Sequence, residues 1–165
     1  MPISWYEAQP WVLERERHAM AEIAPDMAWV NIGTVGGWEG MVPTWPFERA
    51  APEPGLSRLL DGSRLTVRIE YRQAHPAVAP MVYPRAPVPP REHRLNHSWH
   101  LNGDGTLCLL GSTAHWRPSD TAAEVVIKAS GWYIEYLLKR RGLIPAMSEN
   151  GLYVDSSYDA IIAAT

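Results

Sequence analysis

Between His75 and Pro90 the chain carries six prolines, at positions 76, 80, 84, 87, 89 and 90. Each proline fixes its own φ, removes a backbone donor and pushes the residue before it toward extended backbone. The run can therefore be neither a helix nor a central strand. It predicts a rigid extended segment with one short strand around residues 81–83, in which a cis X-Pro bond is possible.

The segments on either side have regular periods. Trp11, Val12, Arg15, Ala19, Met20 and Ile23 recur at three- and four-residue steps, which predicts a helix over residues 8–23. Pro10 suits its first turn and Pro25 stops it. Glu14, Arg15, Glu16, Arg17 and His18 read as its solvated face, on which Arg15 and Arg17 offer a docking point. Alternation over 28–35, a Gly36-Gly37 turn and a return over 38–47 predict a hairpin, with Pro43 and Pro46 shortening its second strand. Residues 51–62 read as a connector with a short turn at 56–60. Leu65, Val67, Ile69 and Tyr71 alternate with Thr66, Arg68, Glu70 and Arg72, the pattern of a half-buried antiparallel strand.

Thr121 to Arg141 is the strongest helix signal. Val125, Ala129, Trp132, Tyr133 and Tyr136 form an apolar stripe, and Thr121 with Glu124 has capping-box spacing. Lys139, Arg140 and Arg141 complement the negative end of the dipole, Gly142 is a natural C-cap, and Pro145 follows. Residues 147–153 read as loop. Ser156 and Asp159 are placed to cap a short last helix reaching Ala164. The sum is an α+β fold in one domain over residues 1–165: an N-terminal helix on a four-stranded antiparallel meander, then a cysteine loop and a long C-terminal helix.

Composition narrows the function. With 46% hydrophobic and 20% charged residues in 165, the chain can bury a core. A net charge of -3 without a basic cluster argues against a nucleic-acid partner. No apolar run nears the roughly 18–20 residues that span a bilayer, and no secretory signal is evident, so a cytoplasmic protein without a membrane partner is expected. The single cysteine, Cys108, cannot form an internal disulfide, which fits a reducing cytosol, and it excludes zinc sites needing two thiolates. Fifteen prolines and eight tryptophans predict stiff loops packed on large aromatic anchors.

Cys108 lies in an irregular, glycine-rich stretch, residues 102–118, after a turn at Asn102-Gly-Asp-Gly105 and before Trp116-Arg-Pro118. His93, His97, His100 and His115 are near it in sequence. Free cysteines are often buried and inert, so the neighbouring motifs decide. His75-Pro76-Ala77-Val78-Ala79-Pro80-Met81-Val82 resembles the Tyr-Pro-Phe-x-Pro-Pro-x-Val segment of the ubiquitin-conjugating enzymes. Gly105-Thr106-Leu107-Cys108-Leu109 resembles their Gly-x-Ile-Cys-Leu, and Trp116-Arg117-Pro118 with Thr121 resembles their Trp-x-Pro-x-x-Thr at the same distance from the cysteine. The three pieces span residues 65–138. The phrases Trp99 to Cys108 and Gly131 to Tyr136 look like the bacterial members found in anti-phage CBASS operons beside a cyclic-oligonucleotide synthase.

The resemblance implies a cysteine that accepts a protein C-terminus as a thioester and passes it to an amine. It implies a protein donor with a C-terminal tail, for which the cyclic-oligonucleotide synthase is one candidate. An activating enzyme, if required, is separate, since this chain holds no activating domain. No cofactor is expected. The family's His-Pro-Asn reads Ser98-Trp99-His100 here, so His100 stands where the family's asparagine supports the oxyanion; its acidic residue two beyond the cysteine is Leu110, and its acidic gate has only Asp104 and Asp120 nearby. Cys108 and His100 are the candidate catalytic residues, helped by backbone N–H groups after Cys108. Trp116 and Pro118 buttress the loop. Three alternatives stay open: a cysteine hydrolase using His93, His97, His100 or His115 as base, a metal site from His93, His97 and His100, and a non-catalytic binding module of the same fold.

Overall fold

The computed structural model describes residues 2–110 and 115–165. The fold is mixed α+β. Helices α1 (Trp5–Ala8) and α2 (Pro10–Ile23) lead into strands β1 (Ala28–Val30) and β2 (Gly37–Met41), helix α3 (Gly55–Leu60), and strands β3 (Thr66–Glu70) and β4 (Met81–Ala86). Then come α4 (Arg91–Arg94), a 3₁₀ turn at His97–Trp99, the long helix α5 (Ala122–Arg140) and α6 (Asp159–Ala163). The sheet is an antiparallel meander in the order β1-β2-β3-β4.

Strand β3 is where the alternation placed it. Leu65, Val67, Ile69 and Tyr71 are buried, between 0% and 2% exposed. Strand β4 is longer than the prolines suggested. Pro84 sits within it opposite Val67, which an edge strand tolerates because one side of its backbone has no ladder to break. The first hairpin is shorter than expected: residues 32–36 turn, with Gly36 donating to the Ile32 carbonyl at 3.2 Å, and β2 ends at Met41 ahead of Pro43. Gly37 has no substitute here, since a Cβ would meet the Ile69 carbonyl oxygen at 2.0 Å.

The N-terminal helix breaks at Gln9, so Pro10 opens α2 as its first residue. Two expectations on it fail. Trp11 is 65% exposed, and Glu16, placed on the solvated face, is fully buried. Val12, Glu16 and Met20 are one turn apart and share the inward face. The Glu16 carboxylate accepts from the Tyr71 hydroxyl at 2.8 Å and from the Ala122 backbone N–H at 2.7 Å. Its other oxygen lies 3.0 Å from His75 Nε2. Burial, then Glu16, raise the Tyr71 phenol well above its ordinary value, so it remains a donor.

That carboxylate also replaces the expected capping box on α5. Thr121 makes no side-chain cap bond; Glu16, from another helix, satisfies the first free N–H instead. Helix α5 is buried nearly all round, with thirteen of its nineteen residues inside, so it is a central helix rather than one with a single apolar stripe. It packs on α2 and α3. Gly142 at φ +70° ends it, and Leu143 N–H donates to the Leu138 carbonyl at 2.9 Å. The last helix starts at Asp159 without a side-chain cap. Asp159 instead takes a two-pronged contact from Arg49, at 2.6 and 2.9 Å.

Candidate active site

A small backbone loop places the cysteine. Gly105 N–H donates to the Asn102 carbonyl at 2.9 Å, with Gly105 at φ +90°, where only glycine avoids a Cβ penalty. Asp104 Oδ1 accepts from the Thr106 N–H at 2.9 Å and its hydroxyl at 2.6 Å. These bonds, the hydroxyl's first, hold the Asp104 carboxyl below its usual value. Leu101 pairs with Leu107 across the loop, and both are buried. Leu107 N–H reaches the Val82 carbonyl of β4 at 2.9 Å, which fixes the loop to the sheet edge. At its end Cys108 N–H donates to the His100 carbonyl at 2.9 Å. The thiol is exposed.

His100 closes the 3₁₀ turn in left-handed backbone, φ +51°. Among side chains with a Cβ, Asn, Asp and His adopt that region most readily. Burial, then nearby Lys139, lower its imidazole below the ordinary 6.5. At neutral pH it is uncharged and offers one N–H. The turn itself rests on α5. Trp132 Nε1 donates to the Trp99 carbonyl at 3.0 Å. Lys139 Nζ donates to the Ser98 carbonyl at 2.6 Å and lies 4.2 Å from the Trp99 ring centre.

Two clefts meet at Cys108. The first, about 460 Å³, is lined by His97, His100 and Leu101 on the cysteine side, by Lys128, Trp132 and Glu135 of α5, and by the 147–154 loop. Lys128, Trp132 and Glu135 are spaced four and three apart, so they share one helix face. Glu135 is 2% exposed. It accepts from the Ser148 N–H at 3.1 Å and from the Ser148 hydroxyl, which ties the far wall of the cleft to α5. Burial pushes the Glu135 carboxyl up to about 7, against the opposing effect of those two bonds. The second cleft, about 430 Å³, runs past Arg72, Ala79, Pro80, Met81 and Asn102 to Cys108 and Val125.

Both candidate catalytic residues, Cys108 and His100, therefore line one cleft, and His97 joins them. His93 does not. Its ring stacks on Trp99 at 3.9 Å and its Nδ1 lies 2.9 Å from the Tyr136 hydroxyl. His115 is exposed and lines neither cleft. Among the described residues no three histidine, cysteine or acidic side chains are grouped to hold a metal, so the His93, His97, His100 metal reading loses its geometry. Trp116 does buttress: its Nε1 donates to the Pro76 carbonyl at 2.8 Å, and the Pro118 carbonyl accepts from Arg15 at 2.8 Å. Arg15, read as part of a solvated face that also offers a docking point, is exposed and engaged by its own chain. Of the backbone donors expected after Cys108, those of residues 111–114 lie outside the described residues.

Sequence reasoning missed Lys128, Trp132 and Glu135, and the loop facing them. The signal for the first three was present: a lysine and a carboxylate two turns apart on one face of a mostly apolar helix. The loop had none, because residues 147–154 have no period. No protein-family model matches the chain, and neither a curated protein nor a solved structure does.

Proposed function

We propose that this chain is a cysteine acyl carrier of the ubiquitin-conjugating type. Cys108 takes the C-terminal acyl group of a donor protein as a thioester and gives it to an amine. The observation that carries the reading is the seat of Cys108: the only thiol, exposed, held by backbone bonds at the meeting of two clefts. Group transfer between two macromolecules needs such a place, since donor and acceptor must approach one atom from different sides. A thiol both attacks and leaves well, with an ordinary pKa of about 8.5. The order of helix, meander, Pro-rich segment, cysteine loop and long helix supports the same reading.

His100 lines the same cleft as Cys108, and its burial favours the neutral imidazole, which supports its one N–H as a donor to the oxyanion of the tetrahedral intermediate. The donor is a protein with an extended C-terminal tail, with a cyclic-oligonucleotide synthase of an anti-phage operon as the candidate and activation supplied by a separate enzyme. The test is trapping: the chain is incubated with ATP and neighbouring gene products, then run on reducing and non-reducing gels. A shifted band removed by reductant and absent in Cys108→Ala supports the carrier. No adduct with any neighbour, on folded protein, overturns it.

A second reading has its own observation. Cys108 shares its cleft with two imidazoles, His97 and His100, and a cysteine hydrolase needs one such base for its nucleophile. Steady turnover of a simple ester or peptide by the purified chain, lost in Cys108→Ala, supports hydrolysis over transfer.

A further inference from the structure

Of the fifteen Lys and Arg residues in this chain, two are lysines, Lys128 and Lys139; thirteen are arginines. Guanidinium groups stay protonated and do not attack acyl carbon. A chain that handles an amine-reactive thioester thus presents few side-chain amines of its own. One of the two lines the same cleft as the thiol.

Lys139 is occupied: its Nζ donates to the Ser98 carbonyl at 2.6 Å and to the Ser98 hydroxyl at 2.8 Å. Lys128 projects from α5 into the 460 Å³ cleft that Cys108 also lines. Its Nζ lies 5.3 Å from the centre of the Tyr153 ring on the opposite wall. Tyr153 holds the amine in the cleft without consuming its donors, as a cation–π contact does. Burial lowers Lys128 from its ordinary 10.5, opposed by Glu124 and Asp120, which raises the neutral, nucleophilic fraction. The four-carbon stem is flexible and can swing within the cleft.

We propose that Lys128 is an internal acceptor: an acyl group carried by Cys108 passes to Lys128 Nζ and leaves the donor joined to the carrier by an amide. The inference rests on the carrier reading above. The lone pair of the neutral amine forms the N–C bond. The C–S bond breaks with its electrons on sulfur, and one amine proton passes to the thiolate. The products are an amide and a free Cys108 thiol. An occupied Lys128 fills the cleft, so the carrier records its own discharge as a stable conjugate.

The test uses the full chain and a short peptide ending in a glycine alkyl thioester, which charges a reactive thiol by exchange without ATP. Intact mass and peptide mapping follow the adducts with time. The expected result is a reductant-labile adduct on Cys108, followed by a reductant-resistant adduct on Lys128. Lys128→Arg, which keeps the charge over Tyr153, should retain charging and lose at least about tenfold of the resistant adduct. Cys108→Ala should lose both. Circular dichroism of each variant checks the fold. A labile adduct on Cys108 with no resistant adduct, or with one on Lys139 alone, overturns the inference and leaves the carrier standing. Equal acylation of Lys128 in Cys108→Ala shows direct reaction with the probe and also overturns it. No labile adduct on Cys108 at all removes the carrier reading itself.

Discussion

Glu16 is fully buried and accepts from two distant parts of the chain, the Tyr71 hydroxyl and the Ala122 N–H, with His75 Nε2 3.0 Å from its other oxygen. Replacing it with alanine leaves the Ala122 N–H without its 2.7 Å partner and the Tyr71 proton without its 2.8 Å partner. Each orphaned buried group costs about 1–3 kcal/mol, and losing one member of a buried pair about 3–5 kcal/mol. Glu16→Ala should therefore lose roughly 3–5 kcal/mol, a large share of the about 5–15 kcal/mol available to a domain.

Glu16→Gln is the discriminating variant. The Tyr71 and Ala122 bonds fall on the same carboxylate oxygen, Oε2, so a glutamine oxygen at that place keeps both, and its amide faces His75. The loss should fall to about 1–2 kcal/mol, the difference between charged and neutral hydrogen bonds. Urea unfolding followed by tryptophan fluorescence reads both. A loss under about 1 kcal/mol for alanine would refute the reasoning, because it would mean the three groups find other partners. Equal losses for both variants would show that the charge, not the shared acceptor, is what the core requires.

Two other outcomes follow from the site. His100→Ala should slow discharge of a charged Cys108 to free amine by about tenfold or more while sparing charging, because the Cys108 N–H bonds the backbone carbonyl of residue 100 and not its imidazole; single-turnover discharge measures it, and an equal loss of both steps would make His100 a loop brace. For Glu135, the folded value of about 7 lies above the ordinary 4.5. The folded chain binds that proton more tightly, so stability is full below about pH 4.5 and falls, by up to about 3 kcal/mol, as pH rises through 7. Glu135→Gln should flatten that part of the profile in urea midpoints taken between pH 5 and 8; parallel profiles would count against it.

Much of the fold was legible because local period and burial agree. Strand β3 alternates, and only one register buries Val67 and Ile69. Helix α5 ends at Gly142 for the reason glycine ends helices. The site was legible as a pair of residues but not as a cleft. His100 and Cys108 come together through the Asn102–Gly105 turn, whose Asn-Gly-Asp-Gly sequence is plain. Glu16 was misplaced by its charge, although its spacing from Val12 and Met20 put it on the inner face. Glu135 was hidden for the same reason. A buried carboxylate is uncommon enough that sequence reading sends it to solvent unless its partners are known, and here the partners are hydroxyl and backbone N–H groups brought from elsewhere in the chain.

Those partners explain why a chain so rich in proline holds its loops in place. Proline removes donors from the backbone, so many loop carbonyls have no main-chain partner to meet. Tryptophan supplies what is missing: a large apolar body for the core and one N–H at its edge. Trp5 donates to Val35, Trp45 to Arg49, Trp116 to Pro76 and Trp132 to Trp99, all at main-chain carbonyls within 3.0 Å. The buried carboxylates serve the complementary need. Glu16 and Glu135 accept backbone N–H groups at Ala122 and Ser148. Two of these contacts, Trp132 to Trp99 and Glu135 to Ser148, define the walls of the Cys108 cleft. Its shape is thus fixed by side chains that take no part in the proposed transfer, while the groups in that role, the Cys108 thiol and the His100 imidazole, are set by backbone and stay open to whatever enters.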